Sequence, residues 1–402
     1  MTESRQPVIV CLASYFKGGQ FLEACKAAGA YVILITKEKF RYERWPFASI
    51  DEFHAMPDLS RERDVTNGVA YLARRQGVDA IVALDEYDAM VAANLREHFR
   101  VPGIGHTQAR FFRDKLAMRT RAKKSRIRMP RFVSVLNHAL IGEFLATVPA
   151  PWVMKPRMEA SAMGIRKIDS ADEVWSQIEA LGDQQSDFLI EEFVSGDVFH
   201  VDSVITSGKV VFVAPSQYQN PPLNIYQGGG VFQTTTVEPS SDLASDLAKA
   251  NKRLLKAFGL KEGVAHAEFI RRSEDGKLYF LEVAARVGGA GIDQLVEAAY
   301  GVNLWQEWAR NVVLPLTGSP YNLPETRADH AGLVVCLSRT EHPDMTPFDG
   351  EEVFWRMEKP HHAGLVLRSS SRKRLDDLLT SYRERFAQEF LATQPPLDKA
   401  SD

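Results

Sequence analysis

Residues 266–289, HAEFIRRSEDGKLYFLEVAARVGG, decide the fold. Two apolar runs flank Glu274-Asp275-Gly276. A three-residue loop with glycine in its last position is a common hairpin connection, because that position requires a positive φ. The stretch therefore predicts a two-stranded antiparallel ribbon in which Ser273 faces Lys277.

This register places two acidic side chains side by side. Glu268 falls directly opposite Glu282, and both carboxylates lie on one face because side chains alternate between the faces of a strand. Phe269, Leu281 and Val283 are expected on the other face. A slip of one residue would separate the two carboxylates, so a surface hairpin that merely carries two glutamates is the alternative.

Opposed carboxylates repel each other, by about 4 kcal/mol at roughly 4 Å and an effective dielectric constant near 20. A proton shared between Glu268 and Glu282 could offset this repulsion. Oxygen ligands at this spacing also suit Mg²⁺ held jointly by protein carboxylates and the phosphates of a nucleotide. We therefore expect a magnesium and nucleotide site here. Arg286, four residues after Glu282, belongs either to this site or to a surface ion pair.

Length and composition limit the class of protein. A chain of 402 residues is long for one hydrophobic core, so two or three domains are expected. The net charge of -3 argues against non-specific nucleic-acid binding. Three scattered cysteines fit a reducing compartment and neither a zinc site nor a disulfide framework. No signal peptide or membrane span is indicated, so we expect a cytoplasmic protein without a nucleic-acid or membrane partner.

The first hundred or so residues alternate between strand and helix patterns and predict a doubly wound α/β domain. The expected elements are strands at 8–13 and 31–35 around a helix at 20–28, then a helix at 65–76, a strand at 79–84 and a helix at 86–98. Gly18-Gly19 could cradle a phosphate, but the GxGxxG pattern is absent. The nucleotide is therefore expected elsewhere in the chain.

Two lysines stand out in the next segment. Eight basic residues lie between positions 113 and 128, and all except Lys115 are interpreted as a solvated helix face. Lys155 lies at the end of an apolar strand, residues 152–156. Residues 157–163 are small and flexible enough to fold over phosphates with their backbone N–H groups.

The remaining pattern predicts a mixed α+β region. A loop rich in proline, asparagine and glycine, residues 215–230, is long enough to be functional. The expected elements are a helix at 171–181, strands at 187–194, 198–205 and 209–214, helices at 243–258, 288–299 and 304–313, a strand at 331–337 and a helix at 372–392.

Taken together, these parts resemble the ATP-grasp superfamily over nearly the whole chain. The shared order is an N-terminal α/β domain, a lysine, a strand-end lysine with a glycine-containing loop, an acidic hinge and a carboxylate pair. The resemblance implies an α/β and α+β multidomain protein. Its expected parts are an N-terminal α/β domain at 1–106, an ATP-grasp domain at 107–319 with a small lobe at about 120–190, and a C-terminal α+β lid or dimer element at 320–402.

The resemblance also assigns contacts with ATP. Lys115 and Lys155 are similar to the lysines that contact the α- and β-phosphates. Residues 159–164 are similar to the loop that covers these phosphates. Residues 191–194 are similar to the hinge that reads the adenine edge. Asp197 is the nearest match to the acidic ribose contact, although many members have the acid where Val198 stands. The implied cofactor-binding residues are Lys115, Lys155, Ser161, Met163, Gly164, Glu191, Glu192, Phe193, Val194 and Asp197.

Glu268 and Glu282 match the Mg²⁺ ligands of the family, for which Mn²⁺ could substitute. Most members carry asparagine two residues after the second ligand, where this chain has Ala284. This departure indicates either a defective second metal site or membership of a subgroup of the family. We favour the subgroup, because Glu-x-Ala-Ala-Arg together with His-x-Glu resembles L-amino-acid ligases, which join two amino acids into a dipeptide. The resemblance implies that Arg286 contacts phosphate and the reacting carboxylate, and that Arg286 and Lys155 are catalytic.

The implied function is an ATP-dependent carboxylate–amine ligase. A carboxylate attacks the γ-phosphorus of ATP, and an amine then displaces phosphate from the acylphosphate. The expected partners are ATP and small carboxylate and amine substrates, plausibly amino acids, with a homodimer expected only by analogy. The alternatives are a carboxylase-like enzyme that activates bicarbonate and a regulatory ATP-binding module without turnover. His200, Asp202 and His266 are candidates for acid–base or substrate contacts, or structural hydrogen-bonding residues.

Overall fold

The computed structural model describes residues 5–160 and 162–393. Its strands are β1 (Val8–Ala13), β2 (Tyr31–Lys37), β3 (Glu52–Met56), β4 (Ala80–Ala83), β5 (Phe132–Ser134), β6 (Trp152–Pro156), β7 (Arg166–Ile168), β8 (Phe188–Glu192), β9 (Gly196–Thr206), β10 (Lys209–Tyr218), β11 (Phe232–Thr236), β12 (Gly263–Arg272), β13 (Leu278–Ala284), β14 (His330–Leu337), β15 (Val353–Arg356) and β16 (His362–Ser369).

The helices connect these strands. They are α1 (Gly19–Ala27), α2 (Glu62–Ala73), α3 (Ala89–Phe99), α4 (His106–Ala109), α5 (Lys115–Lys124), α6 (His138–Thr147), α7 (Ala171–Leu181), α8 (Pro222–Gly228), α9 (Asp242–Phe258), α10 (Ile292–Tyr300), α11 (Leu304–Leu316) and α12 (Arg372–Glu389). In the part of the chain that the structure describes, no helix is both long and apolar enough to span a bilayer.

The N-terminal sheet is parallel throughout, in the order β3-β2-β1-β4. Every residue of β1 is buried, because alternate side chains enter two different clusters. Ile9 and Cys11 pack with α1, whereas Val10 and Leu12 pack with α2 and α3. This double coverage confirms the predicted doubly wound domain.

A central sheet of eight strands follows in the order β13-β12-β9-β10-β11-β14-β16-β15, with antiparallel neighbours. The C-terminal strands β14 to β16 extend this sheet through the pairing of β11 with β14. The proposed separation of residues 320–402 as a unit of their own stays a prediction. A third sheet, β5-β8-β6-β7, carries Lys155 and Glu191 on neighbouring strands.

The central hairpin pairs Glu268 with Glu282, as predicted, but it reaches this pairing from a different turn. The amide of Arg272 donates to the carbonyl of Lys277 at 3.0 Å, so the loop holds four residues, Ser273 to Gly276, instead of three. A β-bulge between Glu268 and Phe269 then shifts the register by one residue. The two departures cancel, which restores the glutamate pair.

The bulge changes the direction of one side chain. Leu281 was expected beside Phe269 and Val283, which lie in the same hydrophobic cluster. Leu281 instead packs against the cluster that contains Val194 and Val198. This prediction was wrong because the extra residue of a bulge breaks the strict alternation of faces.

The predicted loop at 215–230 is shorter than its composition suggests. Ser216, Gln217 and Tyr218 belong to β10 and have cross-strand partners on β11, and the first two also pair with β9. The helix α8 fills much of the rest. The extension of β10 carries Tyr218 to the candidate site.

We expect Gly196→Ala to destabilise the protein. Gly196 has a φ of +155°, and a Cβ there would lie 2.0 Å from the carbonyl oxygen of Arg271 on β12. The free energy of unfolding should fall by at least about 2 kcal/mol, since the two backbones must separate.

Gly142→Ala is the matched control, because Gly142 lies within α6 and a Cβ there meets no atom within 4 Å. Helix propensity predicts that this variant gains up to about 1 kcal/mol. Urea denaturation measures both variants. Equal stabilities would contradict the close approach of β9 to β12.

Candidate functional site

Four even-numbered residues in the middle of β9 and β12 form a polar row on one face of the central sheet. Paired residues of adjacent strands point to the same face. His200 pairs with Glu268, Asp202 pairs with His266, and Glu282 joins them from β13. The odd-numbered residues beside them, such as Val201, Ala267 and Phe269, enter a hydrophobic cluster behind the sheet. We call this row, with Glu282, the polar face.

Each of the two opposed carboxylates has a cation beside it. The ammonium of Lys115 lies 3.1 Å from Oε1 of Glu282. Oε1 of Glu268 accepts a hydrogen bond from the hydroxyl of Tyr218 at 2.8 Å and lies 3.7 Å from Nε2 of His266. Burial alone would raise the pKa of Glu268, but His266 and Tyr218 outweigh burial and lower it. Lys115 and His266 therefore offset the repulsion between Glu282 and Glu268, which a proton shared by the two carboxylates could also have relieved.

Asp202 joins two imidazoles at the centre of the polar face. Its Oδ2 lies 2.7 Å from Nδ1 of His200, and its Oδ1 lies 2.9 Å from Nδ1 of His266. Nε2 of His200 lies 2.8 Å from the hydroxyl of Thr234. Burial opposes the charge on His266, but the Asp202 carboxylate outweighs it and raises the pKa of His266 to about 9. His266 is therefore a cation at neutral pH.

The same three residues also have a geometry compatible with a metal, since their ligand atoms lie within 4.8 Å of one another. However, both ring nitrogens of His200 already have partners, and each oxygen of Asp202 already contacts an imidazole. The arrangement fits a hydrogen-bonded triad that holds His266 against Glu268.

Lys155 and Glu191 form a second charged cluster. Val153 pairs with Glu191 across the sheet, so Lys155, two residues on, shares its face. Glu191 is only 1% exposed and accepts from Lys155 at 2.7 Å and from Arg119 at 2.7 and 3.2 Å. Burial raises the pKa of Glu191, but Arg119 and Lys155 outweigh it and lower the pKa to about 2. The Glu191 side chain therefore fixes the lysine and is not available to adenine.

The predicted solvated face of the basic helix was wrong for two residues. Arg119 is fully buried against Glu191, and Arg113 is buried beside Glu86, with Nη1 3.3 Å from its Oε1. Residues four apart on a helix share a face. The spacing between Lys115 and Arg119 is thus the signal that could have identified Arg119.

Glu159, at the start of the predicted phosphate-covering loop, reaches the polar face through Lys115. The Lys115 ammonium donates to the carbonyl of Glu159 at 2.6 Å while it contacts Glu282. Met163 is buried, and Gly164 has a φ of +66°. Ser161, the other predicted contact of this loop, lies outside the described residues.

The predicted hinge follows β8. Glu192 accepts hydrogen bonds from the backbone and side chain of Arg131 at 3.2 and 3.0 Å. The ammonium of Lys167 lies 4.7 Å from the ring centroid of Phe193. Val194 belongs to an apolar patch with Val198, Tyr218, Ile270 and Tyr279. This patch adjoins Glu268 through Tyr218. It is apolar and partly aromatic, as a binding site for a flat heterocycle must be.

Asp197 does not reach the polar face. It is an odd-numbered residue of β9, it pairs with Arg271 across the sheet at 2.7 Å, and its side chain is 50% exposed. Val198 occupies the position that points to the apolar patch. The expected ribose contact of Asp197 therefore has no support in the geometry.

Arg286 forms a buried ion pair with a residue 200 positions earlier. Its Nε donates to Oε2 of Glu86 at 2.9 Å, its Nη2 also contacts Glu86, and its Nη1 donates to the carbonyl of Val287 at 2.8 Å. Burial raises the pKa of Glu86, but Arg286 and Arg113 outweigh it and lower the pKa to about 2. A guanidinium has five N–H donors, so two remain for a ligand.

Glu86 and Tyr218 are the residues that our sequence analysis missed. Glu86 follows β4, at the carboxyl end of a parallel strand, where doubly wound domains bind ligands. That position was the available signal. Tyr218 carried no signal, because its neighbours read as a loop.

A known domain family matches the part of the chain that carries most of these residues. The ATP-grasp domain family matches residues 148–294, which include Lys155, Glu191, Glu268, Glu282 and Arg286. This chain contains an ATP-grasp domain.

Two relatives illustrate the similarity. The L-arginine-specific L-amino acid ligase of Bacillus subtilis is 27% identical over 235 residues, which are 57% of this chain and 56% of that one. The crystal structure of an L-amino acid ligase from Bacillus licheniformis superposes with a TM-score of 0.78 at 17% identity, covering 98% of this chain and 100% of that one. The chain spans about half the length of the curated relatives that it matches.

The fold also occurs in other ATP-grasp proteins. N5-carboxyaminoimidazole ribonucleotide synthetase from Thermus thermophilus has a TM-score of 0.73 at 18% identity, covering 96% of this chain and 99% of that one. Identities at this level show the fold alone.

We expect Glu191→Gln to lower the free energy of unfolding at pH 7 by about 3 to 5 kcal/mol, because Arg119 loses its buried counter-charge. The depressed pKa of Glu191 stabilises the folded state above about pH 4.5, and this contribution is lost as the pH falls toward 2. The variant should therefore lose less stability than the wild type between pH 5 and pH 3.

Urea denaturation across this pH range tests the expectation. Glu274→Gln in the hairpin loop is the control, because its side chain is 79% exposed, and it should follow the wild type. Identical pH profiles for Glu191→Gln and the wild type would contradict the proposed anchoring.

Proposed function

We propose that this chain is an ATP-dependent carboxylate–amine ligase that joins amino acids through an acylphosphate, with release of ADP and phosphate. The observation that carries the proposal is the pairing of Glu268 with Glu282, with Lys115 beside them and Arg286 nearby. The names of the amino-acid ligases similar to this chain support amino acids as substrates.

The donor set fits a hard divalent cation. Glu268 and Glu282 offer carboxylate oxygens, and their side chains stay 24% and 29% exposed beside a polar face that is otherwise buried. We propose that they hold Mg²⁺, or Mn²⁺ in its place. When bound, the cation would neutralise phosphate charge and so make the γ-phosphorus easier to attack.

The remaining residues arrange the nucleotide. Lys155, fixed by Glu191, and Lys115, fixed by Glu159, would neutralise the α- and β-phosphates. The backbone of residues 159–164 would cover them. The apolar patch around Val194 would take the base, and the backbone of Val194 would face its polar edge.

Arg286 would act on the reacting carboxylate. A carboxylate oxygen bonds to the γ-phosphorus while the bond to ADP breaks. The amine nitrogen then bonds to the carbonyl carbon, loses a proton, and phosphate leaves. The two remaining N–H donors of Arg286 suit the carboxylate and the oxyanion that follows it. Glu86 would hold the plane of the guanidinium, which makes it a positioning residue.

A phosphate-release assay with ATP and Mg²⁺, screened over amino acids singly and in pairs, tests this proposal. Glu282→Gln and Arg286→Ala should each lower kcat by at least about 100-fold, since each removes a charge that the transition state requires. Asp197→Asn is the matched control, because Asp197 lies on the other face, and it should stay within about threefold of the wild type.

Three outcomes would contradict the proposal. Full activity of Glu282→Gln or Arg286→Ala would refute the roles of these residues. Turnover that requires bicarbonate instead of an amino acid would indicate a carboxylase-like enzyme. Nucleotide binding without phosphate release for any amino acid would indicate a regulatory module.

A further inference from the structure

A cleft of about 1290 Å³ opens between the N-terminal domain and residues 342–360, which we call the C-terminal segment. Its lining includes Lys17, Tyr87 and Met163, and we call this part its inner end. Tyr87 follows Glu86, and Lys17 lies close enough to Glu86 and Arg286 for their charges to act on it. The cleft therefore leads outward from the position proposed for the reacting carboxylate.

The outer lining is positively charged. Four cations, Lys39, Arg44, Arg356 and Lys359, face two carboxylates, Glu43 and Glu358. This surplus stands out on a chain whose net charge is -3. Across the described ranges, 5–160 and 162–393, none of the four cations has a carboxylate oxygen within 4.0 Å. The field in the cleft is therefore not cancelled by ion pairs of the protein itself.

Some other basic side chains at the surface do have such partners. Arg75 pairs with Glu52 at 2.8 Å, and Arg374 pairs with Glu352 at 2.7 Å. A site for an anion keeps its cations free of protein carboxylates, because an ion pair would have to break before the ligand bound. The outer cations of the cleft meet this requirement.

Aromatic rings hold one of these cations in place. The Lys39 ammonium lies 4.9 Å from the ring centroid of Phe40 and 5.6 Å from that of Tyr15. Such contacts orient the ammonium without neutralising it. Phe16 and Tyr87 complete an aromatic wall that suits the methylene stem of a substrate.

We propose that this cleft binds the anionic side chain of one amino-acid substrate, a carboxylate or a phosphomonoester, so that the ligase takes an acidic amino acid. The inference rests on the proposed function. The outer cations belong to the N-terminal domain and the C-terminal segment, whereas Lys115 and Lys155 serve the nucleotide. The relative from Bacillus subtilis is named as specific for L-arginine, whose side chain is positively charged. The preference proposed here is for the opposite charge.

Calorimetric titration in the presence of Mg²⁺ and a non-hydrolysable ATP analogue tests the inference without requiring turnover. The probes are L-glutamate, L-aspartate, O-phospho-L-serine, L-glutamine and L-arginine. We expect at least one of the three acidic probes to bind about tenfold tighter than L-glutamine and L-arginine, and the best acidic probe identifies the anion.

The double variant Lys39→Gln with Arg44→Gln should lose at least about tenfold in affinity for that acidic probe and leave binding of L-glutamine and of nucleotide unchanged. Lys252→Gln with Lys256→Gln removes two exposed charges from α9 and should match the wild type.

Two binding results would overturn the inference. One is equal affinity of the wild type for acidic and neutral probes. The other is an equal loss of affinity for all probes in the double variant. Phosphate release with only neutral or basic amino acids would also overturn it while leaving the ligase proposal intact. Charge-dependent binding of an acidic probe without phosphate release would support an anion site in the cleft and refute the ligase proposal.

Discussion

The site depends on two carboxylates that the backbone holds face to face. The pairing of β12 with β13 fixes Glu268 opposite Glu282, and neither can move away without breaking the sheet. Electrostatic repulsion between them must be offset. In the protein alone, Lys115 and His266 perform this task from either side. A divalent cation between the carboxylates would serve the same electrostatic need and also attract the phosphates of a nucleotide.

Buried glutamates likewise offset the charges of the cations around the site. Glu86 holds Arg286, and Glu191 holds Lys155 together with Arg119. Relative to apolar side chains of the same shape, such buried ion pairs add little stability, because desolvation offsets the attraction, although removing one partner alone is costly. Their value lies in position, since each fixes a cationic side chain that would otherwise sample many rotamers. The Glu86 contact also joins the N-terminal domain to the hairpin, so that the two halves of the site share one geometry.

Periodicity in the sequence predicted much of this arrangement. Alternation along β12 and β13 was enough to place Glu268 and Glu282 together, although two departures in register had to cancel. Continuous apolar runs predicted the parallel N-terminal sheet because such strands are buried on both faces. Asp197 was the nearest match to the acidic ribose contact of the family, but a match in sequence position carries no information about which face of β9 a residue occupies.

Long-range partners could not be predicted from local patterns. The contact between Glu86 and Arg286 spans 200 positions, and nothing near either residue indicates the other. Tyr218 was hidden because proline and asparagine after it suggested a loop, whereas the pairing of β10 with β9 and β11 kept the strand extended. The bulge likewise brings Leu281 to a cluster that contains Val194, which lies far from it in the sequence.

A crystal structure with ADP and Mn²⁺, in which anomalous scattering locates the metal, tests the central claim most directly. The account predicts a manganese peak between Glu268 and Glu282, with oxygens of both carboxylates and of ADP coordinated to it. A peak among His200, Asp202 and His266, or a nucleotide bound away from the polar face, would contradict it.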